Sequence, residues 1–274
     1  MIQIGARAHD YGRDAPEKLF GKIAADGFTC VQLALKKTIA GVNGPADVTP
    51  ELLEEISVVL TDSGLNVAVL GAYVELSIAD EALRADSVRE FLANIPFAKR
   101  LGADCIGTET TQMKNQKPGV TRMEALRFLA DSLFRIMPTA EKYGVTVAVE
   151  PVHTHALNTP ELAAELLKLI RSPKLKIIFD PVNLLGEEDV DGQHRLWDRC
   201  FCCFGSEIAA VHMKGVRLDE TGSLVSCGFS ESVVDYGYLF DRLKELPQKF
   251  SILREEVNPS HAKQDIAFLH GFLV

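Results

Sequence analysis

Residues 145–160 read VTVAVEPVHTHALNTP, an apolar run that breaks at a carboxylate, passes two histidines and stops at Thr159-Pro160. Its first five residues are β-branched or small, as expected of a short strand buried on both faces. Its end suits the start of a helix: a Thr hydroxyl can accept an unpaired backbone N–H at the N-cap, and Pro, which lacks that N–H, costs nothing at the next position. Leu162, Leu166, Leu169 and Ile170 then recur at helical spacing, giving one apolar stripe to lay on a sheet. The stretch therefore reads as strand, polar loop, helix.

The same unit recurs along the chain. Strand candidates are Ile2 to Ala6, Cys30 to Leu35, Asn66 to Leu70, Cys105 to Thr108, Val145 to Val149, Leu175 to Phe179, Ile208 to Met213 and Phe250 to Leu253, eight in all. Most are continuous apolar runs, which parallel strands covered on both faces require. Between them lie helix-like segments from Ala15 to Asp26, from Thr49 (VTPELLEEI), Glu81 to Leu101, Met123 to Tyr143, from Thr159, His194 to Cys203, Tyr236 to Leu246 and Ala262 to Phe272. Gly27, Gly64, Gly102 and Gly144 follow helical runs and precede strands, where a left-handed C-cap would want them. Eight such alternations predict an α/β fold, a single (β/α)8 TIM barrel spanning residues 1–274. The alternative is an open doubly wound sheet, but no G-x-G-x-x-G follows the first strand to favour it. No linker or charge block marks a second domain.

Composition narrows the function. The chain has 274 residues, 47% hydrophobic, enough for a large core. Acidic residues outnumber basic ones 38 to 29, and the net charge of -9 disfavours nucleic acid and anionic membranes as partners. MIQIGARAHD lacks the apolar region of a secretory signal, and no segment approaches ~20 consecutive apolar residues. The expected location is cytoplasmic. Six cysteines, at 30, 105, 200, 202, 203 and 227, cluster only as CFCC, without the paired C-x-x-C motifs of a zinc site, and are expected to be reduced thiols, mostly buried.

In a barrel of this kind the chemistry sits at the C-terminal ends of the strands. The fifth strand ends in Glu150, the sixth in Asp180, the seventh carries His212, and the eighth ends in Glu255 and Glu256. Three carboxylates gathered in a concave site repel one another and lose hydration, so a cation is needed to compensate them. Mostly oxygen donors with one imidazole suit a single divalent ion: Mn²⁺, Mg²⁺, Co²⁺ or Zn²⁺. A lone acid after a strand is more often a turn former, but four polar residues at successive strand ends share one cause more readily.

The motifs VAVEPVHTH, IIFDPVN, VHMKGVRL and ILREEV resemble those of the sugar phosphate isomerase/epimerase superfamily of xylose isomerase-like barrels, which also holds inosose dehydratases and AP endonucleases of the endonuclease IV type. The resemblance spans the whole eightfold pattern and is sharpest from about 145 to 256. It implies Glu150, Asp180, His212 and Glu255 as ligands of one divalent ion, with Glu256 the alternative at the last position. It also implies an enzyme of carbohydrate metabolism acting on a small sugar or polyol ketone, and a homo-oligomer. Two departures stand out: Asn183 lies where ketose 3-epimerases commonly have a His, and GFSESVVDY replaces a tighter G-x-G-x-x-D-Y run.

An ion bound through a carbonyl and its neighbouring hydroxyl would stabilise an enediolate. Glu150 and Glu255 are then the catalytic acid and base, acting on opposite faces of the substrate. Return of the proton to the other face is epimerisation, and to the adjacent carbon, isomerisation. Candidate substrate binders are His155 in preference to His153, Lys214, Arg217 and Glu109, with His9 a further pocket candidate. The alternatives are a lyase of the inosose dehydratase type, an AP endonuclease-like phosphodiesterase, which would need more His ligands and a basic groove, and a non-catalytic sugar-binding barrel.

Overall fold

Eight short strands close into one barrel in the computed structural model, which describes residues 2–186 and 190–273. They are β1 (Gln3–Arg7), β2 (Cys30–Leu33), β3 (Asn66–Gly71), β4 (Cys105–Glu109), β5 (Val147–Glu150), β6 (Leu175–Phe179), β7 (Ile208–Met213) and β10 (Ser251–Arg254). The cyclic order β1-β10-β7-β6-β5-β4-β3-β2 leaves no edge, and every pairing is parallel. The helices are α1 (Pro16–Asp26), α2 (Leu35–Thr38), α3 (Pro50–Asp62), α4 (Glu81–Arg100), α5 (Arg122–Tyr143), α6 (Pro160–Ile170), α7 (Gln193–Phe204), α8 (Tyr236–Lys244) and α9 (Ala262–Gly271). The expected (β/α)8 barrel is the observed fold.

The start and stop signals act as their chemistry requires. Thr49 and Thr159 cap α3 and α6, their hydroxyls accepting from Leu52 N at 3.2 Å and Leu162 N at 3.3 Å. Gly27 and Gly144 close α1 and α5 at φ 104° and 69°, in left-handed conformations that a β-carbon would disfavour.

Three local features differ from the sequence expectation. Leu35 does not extend the second strand but opens the single turn α2. Val145 and Thr146 precede β5 as coil. After β7 the chain forms an antiparallel hairpin outside the barrel, β8 (Gly215–Leu218) with β9 (Leu224–Cys227), which no strand candidate marked and which ends just before the GFSESVVDY stretch. Gly215 permits it: a β-carbon there would lie 2.7 Å from Cys227 O.

Two apolar layers divide the strands. One face of each packs on the helices, with Ile106, Val147, Ile177, Val211 and Ile252 in that core. The other fills the barrel interior with a separate cluster including Cys105, Ala148, Ile178, Ala210 and Leu253. The interior is too narrow for a side chain on every strand. At Gly5 a β-carbon would meet Cys30 O and Sγ at 2.5 Å. All six cysteines are free thiols; Cys30, Cys105 and Cys200 are buried, Cys203 and Cys227 are half-buried and Cys202 is exposed. Among the described residues, no helix is long and apolar enough to cross a membrane.

Candidate active site

Strand alternation places the polar ring. Ala148, Ile178, Ala210 and Leu253 fill the interior, so two residues further on the same side of each strand brings Glu150, Asp180, His212 and Glu255 into the barrel mouth. The same step from Gly5, Cys30 and Gly107 brings Arg7, Gln32 and Glu109. The ring therefore sits directly on an apolar plug.

Glu150, Asp180, His212 and Glu255 are all buried. His212 Nδ1 stands 3.2 Å from Glu150 Oε2 and 3.2 Å from Glu255 Oε1. Asp180 is aimed by its own turn: Oδ1 accepts from Val182 N at 2.7 Å and Asn183 N at 2.8 Å, leaving Oδ2 toward the mouth. Asn183 donates to Glu150 Oε1 at 2.6 Å. Lys214 Nζ donates to Asn183 Oδ1 at 2.7 Å and Glu255 Oε2 at 3.0 Å, and it lies 3.0 Å from Asp180 Oδ2. Arg7, held by Asp10 at 2.9 Å, adds an ion pair to Glu255 at 3.4 Å.

These neighbours set the charges. Burial would raise the Glu255 pKa, but His212, Lys214 and Arg7 outweigh it and hold the carboxyl down to about 2. Burial opposes the charge on His212, yet Glu255 and Glu150 lift its pKa to about 9. Burial raises Asp180, with Lys214 opposing. Glu109 is pushed up to about 7, by burial first and then by Glu150, its register partner across β4 and β5, and Glu255.

The cluster fits a divalent cation. One ligand atom each from Glu150, Asp180 and His212 can be chosen so that all lie within 4.8 Å of one another. Nε2 of His212 is buried with no polar partner among the described residues, while His212 Nδ1 and Asp180 Oδ2 have only the charged neighbours just named, at 3.2 and 3.0 Å. Buried polar atoms left in that state are costly, and an ion accepting their lone pairs removes the cost. Glu255 lies outside that triad but within reach of the same histidine.

The remaining candidates divide into those the fold gathers and those it does not. His155 is buried beside the mouth, with Nε2 3.9 Å from Glu109 Oε2, whereas His153 spends its backbone N–H on Asn183 O at 2.7 Å. Both Glu109 and His155 line a cleft of ≈ 360 Å³ with Tyr73, Glu75 and Lys114. His9 joins through an edge-on contact with Tyr73, their ring centroids 6.0 Å apart. Arg217 stands apart, exposed on β8. Glu256 leaves the mouth at φ 57° and accepts from the Ser226 hydroxyl on the hairpin. A larger cavity of ≈ 710 Å³ at the opposite end of the barrel is lined by Gln3, Asp104, Lys176, Ser251 and His270, but no three metal-ligating side chains cluster there among the described residues.

Sequence reasoning did not single out Arg7, Gln32, Lys37 or Tyr73. Gln32 donates to the Tyr73 hydroxyl, and Lys37 Nζ sits 3.6 Å from the centre of that ring. Arg7 and Gln32 carried a usable signal, since each follows a small inward residue by two positions on its strand. Tyr73 lies in coil after β3 and Lys37 in the single turn α2, which is too short for a periodicity to report direction.

The sequence matches the family model described as xylose isomerase-like TIM barrel over residues 20–271. The chain belongs to that family. This xylose isomerase-like barrel is similar to a solved D-tagatose 3-epimerase-like protein, with a TM-score of 0.78 at 18% identity, covering 99% of this chain and 97% of that one. An L-ribulose 3-epimerase gives 0.75 at 19% identity, covering 100% and 95%. The IOLI protein, solved with a bound zinc atom, gives 0.72 at 17% identity, covering 100% and 97%. No curated protein matches the sequence. At these identities the likenesses carry the fold of the xylose isomerase-like barrel, and its chemistry has to be argued from its own residues.

Proposed function

We propose that the protein is a divalent-metal-dependent isomerase or epimerase of a small sugar or polyol ketone. The observation that carries this reading is the gathering of Glu150, Asp180, His212 and Glu255 in one buried cluster, with His212 Nε2 buried and without a polar partner among the described residues. These four residues would hold the ion. When bound, it supplies Lewis-acid polarisation of a substrate carbonyl, which acidifies the neighbouring C–H.

The protein's own groups then handle the proton. Glu150 and Glu255 approach His212 from β5 and β10, on either side of β7 in the barrel, so they can face a substrate from two directions. One removes the proton and the other returns it. Lys214 and Arg7 keep Glu255 ionised, which is the form able to accept a proton. Glu109 and His155 would orient hydroxyl groups in the adjoining cleft, whose ≈ 360 Å³ is near the lower end of small-molecule pockets and suits a single sugar. Epimerase names among the similar structures support the substrate class.

One observation favours a second reading, dehydration of a polyol ketone. Glu109, raised to about 7, carries a proton through much of the neutral range and could deliver it to a departing hydroxyl. Both readings use the same metal and the same first proton abstraction.

The test is the metal content of purified protein by elemental analysis, on wild type beside Glu150→Gln and His212→Ala, with circular dichroism to establish folding. About one divalent ion per chain is expected in wild type and none in either variant; ketoses and inososes are then screened with that metal. Full-strength metal binding in both folded variants would overturn the proposal.

A further inference from the structure

Lys214 does something a metal site does not ordinarily need. Its side chain enters from the turn between β7 and β8 and is buried with the carboxylates it meets, at 7% exposure against 0% for Asp180 and 4% for Glu255. Its ammonium lies 3.0 Å from Asp180 Oδ2, 3.0 Å from Glu255 Oε2 and 2.7 Å from Asn183 Oδ1, and Asn183 passes the contact on to Glu150 Oε1 at 2.6 Å. One cation thus contacts two of the acids directly and restrains the third through an amide. Asn183 suits this position because its amide accepts from the lysine with one end and donates to the glutamate with the other.

We propose that Lys214 is a resident counter-cation of the metal site, reaching Asp180 and Asn183 where Arg7, of the residues in the cluster, reaches only Glu255. It holds Asp180, Glu255 and Glu150 in ligand geometry before any ion arrives, and an incoming divalent ion competes with its fixed charge. The inference rests on the metal-site reading of the same cluster. The physical reason is the cost of gathering buried like charges: without a cation the three carboxylates would repel, take up protons or turn away. A lysine that compensates them preforms the site, but it stands against the same oxygen atoms the ion needs. The trade is a ready-made site with a weakened affinity for metal. In this role Lys214 is a positioning residue, acting through Asn183 and the acids.

The two effects separate experimentally, and in opposite directions. In Lys214→Gln the amide keeps a hydrogen-bond donor but loses the charge; in Lys214→Arg the charge remains. Mn²⁺ affinity is titrated by calorimetry on chelator-stripped protein, and thermal melting is followed with and without saturating Mn²⁺. For Lys214→Gln the expected results are a metal-free melting temperature below wild type, Mn²⁺ binding at least about tenfold tighter than wild type, and a larger thermal shift on adding Mn²⁺. Lys214→Arg should bind Mn²⁺ like wild type. A purely structural lysine would lower stability and weaken metal binding together, so unchanged or weaker Mn²⁺ binding by Lys214→Gln overturns the proposal. So does a Lys214→Gln protein that stays unfolded at saturating Mn²⁺, because the ion should replace the missing charge. If wild type binds no Mn²⁺, the metal reading fails by itself. The metal-free melting temperatures then decide the lysine's role, with equal stability of wild type and Lys214→Gln overturning it.

Discussion

At Glu255 and Glu256 a single peptide separates a residue in the site from one outside it. Leu253 points into the barrel interior, so Glu255 does too, and Glu256 turns away at φ 57° toward Ser226. On the proposed mechanism, Glu255→Gln removes a proton-transfer group and should lower turnover by about 10²–10⁴-fold, whereas Glu256→Gln should leave it near wild type. Steady-state assays of both variants on an accepted ketose decide this, and equal losses would contradict the assignment. His212 carries a pH prediction for the metal-free protein. Burial works against its charge, but Glu255 and Glu150 raise its pKa to about 9, above the ordinary 6.5. The folded state therefore binds more protons than the unfolded state between those values, and its stabilising contribution, complete below 6.5, is lost as the pH rises through 9. Urea midpoints of chelator-treated protein should fall from about pH 7 to 8.5, less steeply in His212→Asn. Mn²⁺ should flatten the wild-type profile, because a metal-bound imidazole has already given up its proton.

Among the elements, the strands and long helices were legible because each declares itself within a few residues. Apolar runs marked all eight barrel strands, and Thr-Pro marked two helix starts. Thr159→Ala removes the acceptor for Leu162 N and should cost about 1 kcal/mol in denaturant unfolding. Gly5→Ala should cost more, about 1–3 kcal/mol, because its β-carbon would meet the Cys30 carbonyl oxygen at 2.5 Å and backbone cannot step aside as a side-chain tip can. An unchanged urea midpoint for Gly5→Ala would contradict the packed interior. The β8–β9 hairpin was not read, because β9 is nowhere fully buried and β8 is buried only at Gly215 and Val216, so apolar alternation is weak there. Its turn did carry a signal in DETGS, where Asp219 Oδ1 accepts from Thr221 N at 2.8 Å and Ser223 N at 3.0 Å. Pro96 and Pro138 lie inside α4 and α5 without ending them. Each proline forfeits a helix bond locally, but a helix of 20 or 22 residues draws its stability mainly from the face it buries.

For the whole molecule, closure of the barrel is what turns separate strand ends into a site. An ion that binds only the folded protein stabilises it by about 2.7 kcal/mol at a hundredfold excess over Kd. For a chain of this size that is a rise in melting temperature of roughly 5–10 °C on adding Mn²⁺ to chelator-stripped protein. Identical melting curves with and without the ion would argue against a metal bound at the mouth. The net charge of -9 keeps the exterior unfavourable to polyanions even though Arg7, Lys37, Lys114 and Lys214 stand in or beside the mouth. The sequence by itself determined the repeating strand–loop–helix unit, the eightfold count and the acids and histidine at the strand ends, because period and capping chemistry are local. Only the tertiary structure decided that Glu255 faces inward, that Arg7 crosses from β1 to meet it, and that Lys214 and Asn183 tie the acids together. Those relations join residues far apart in the chain, and they exist only once strands distant in sequence have paired.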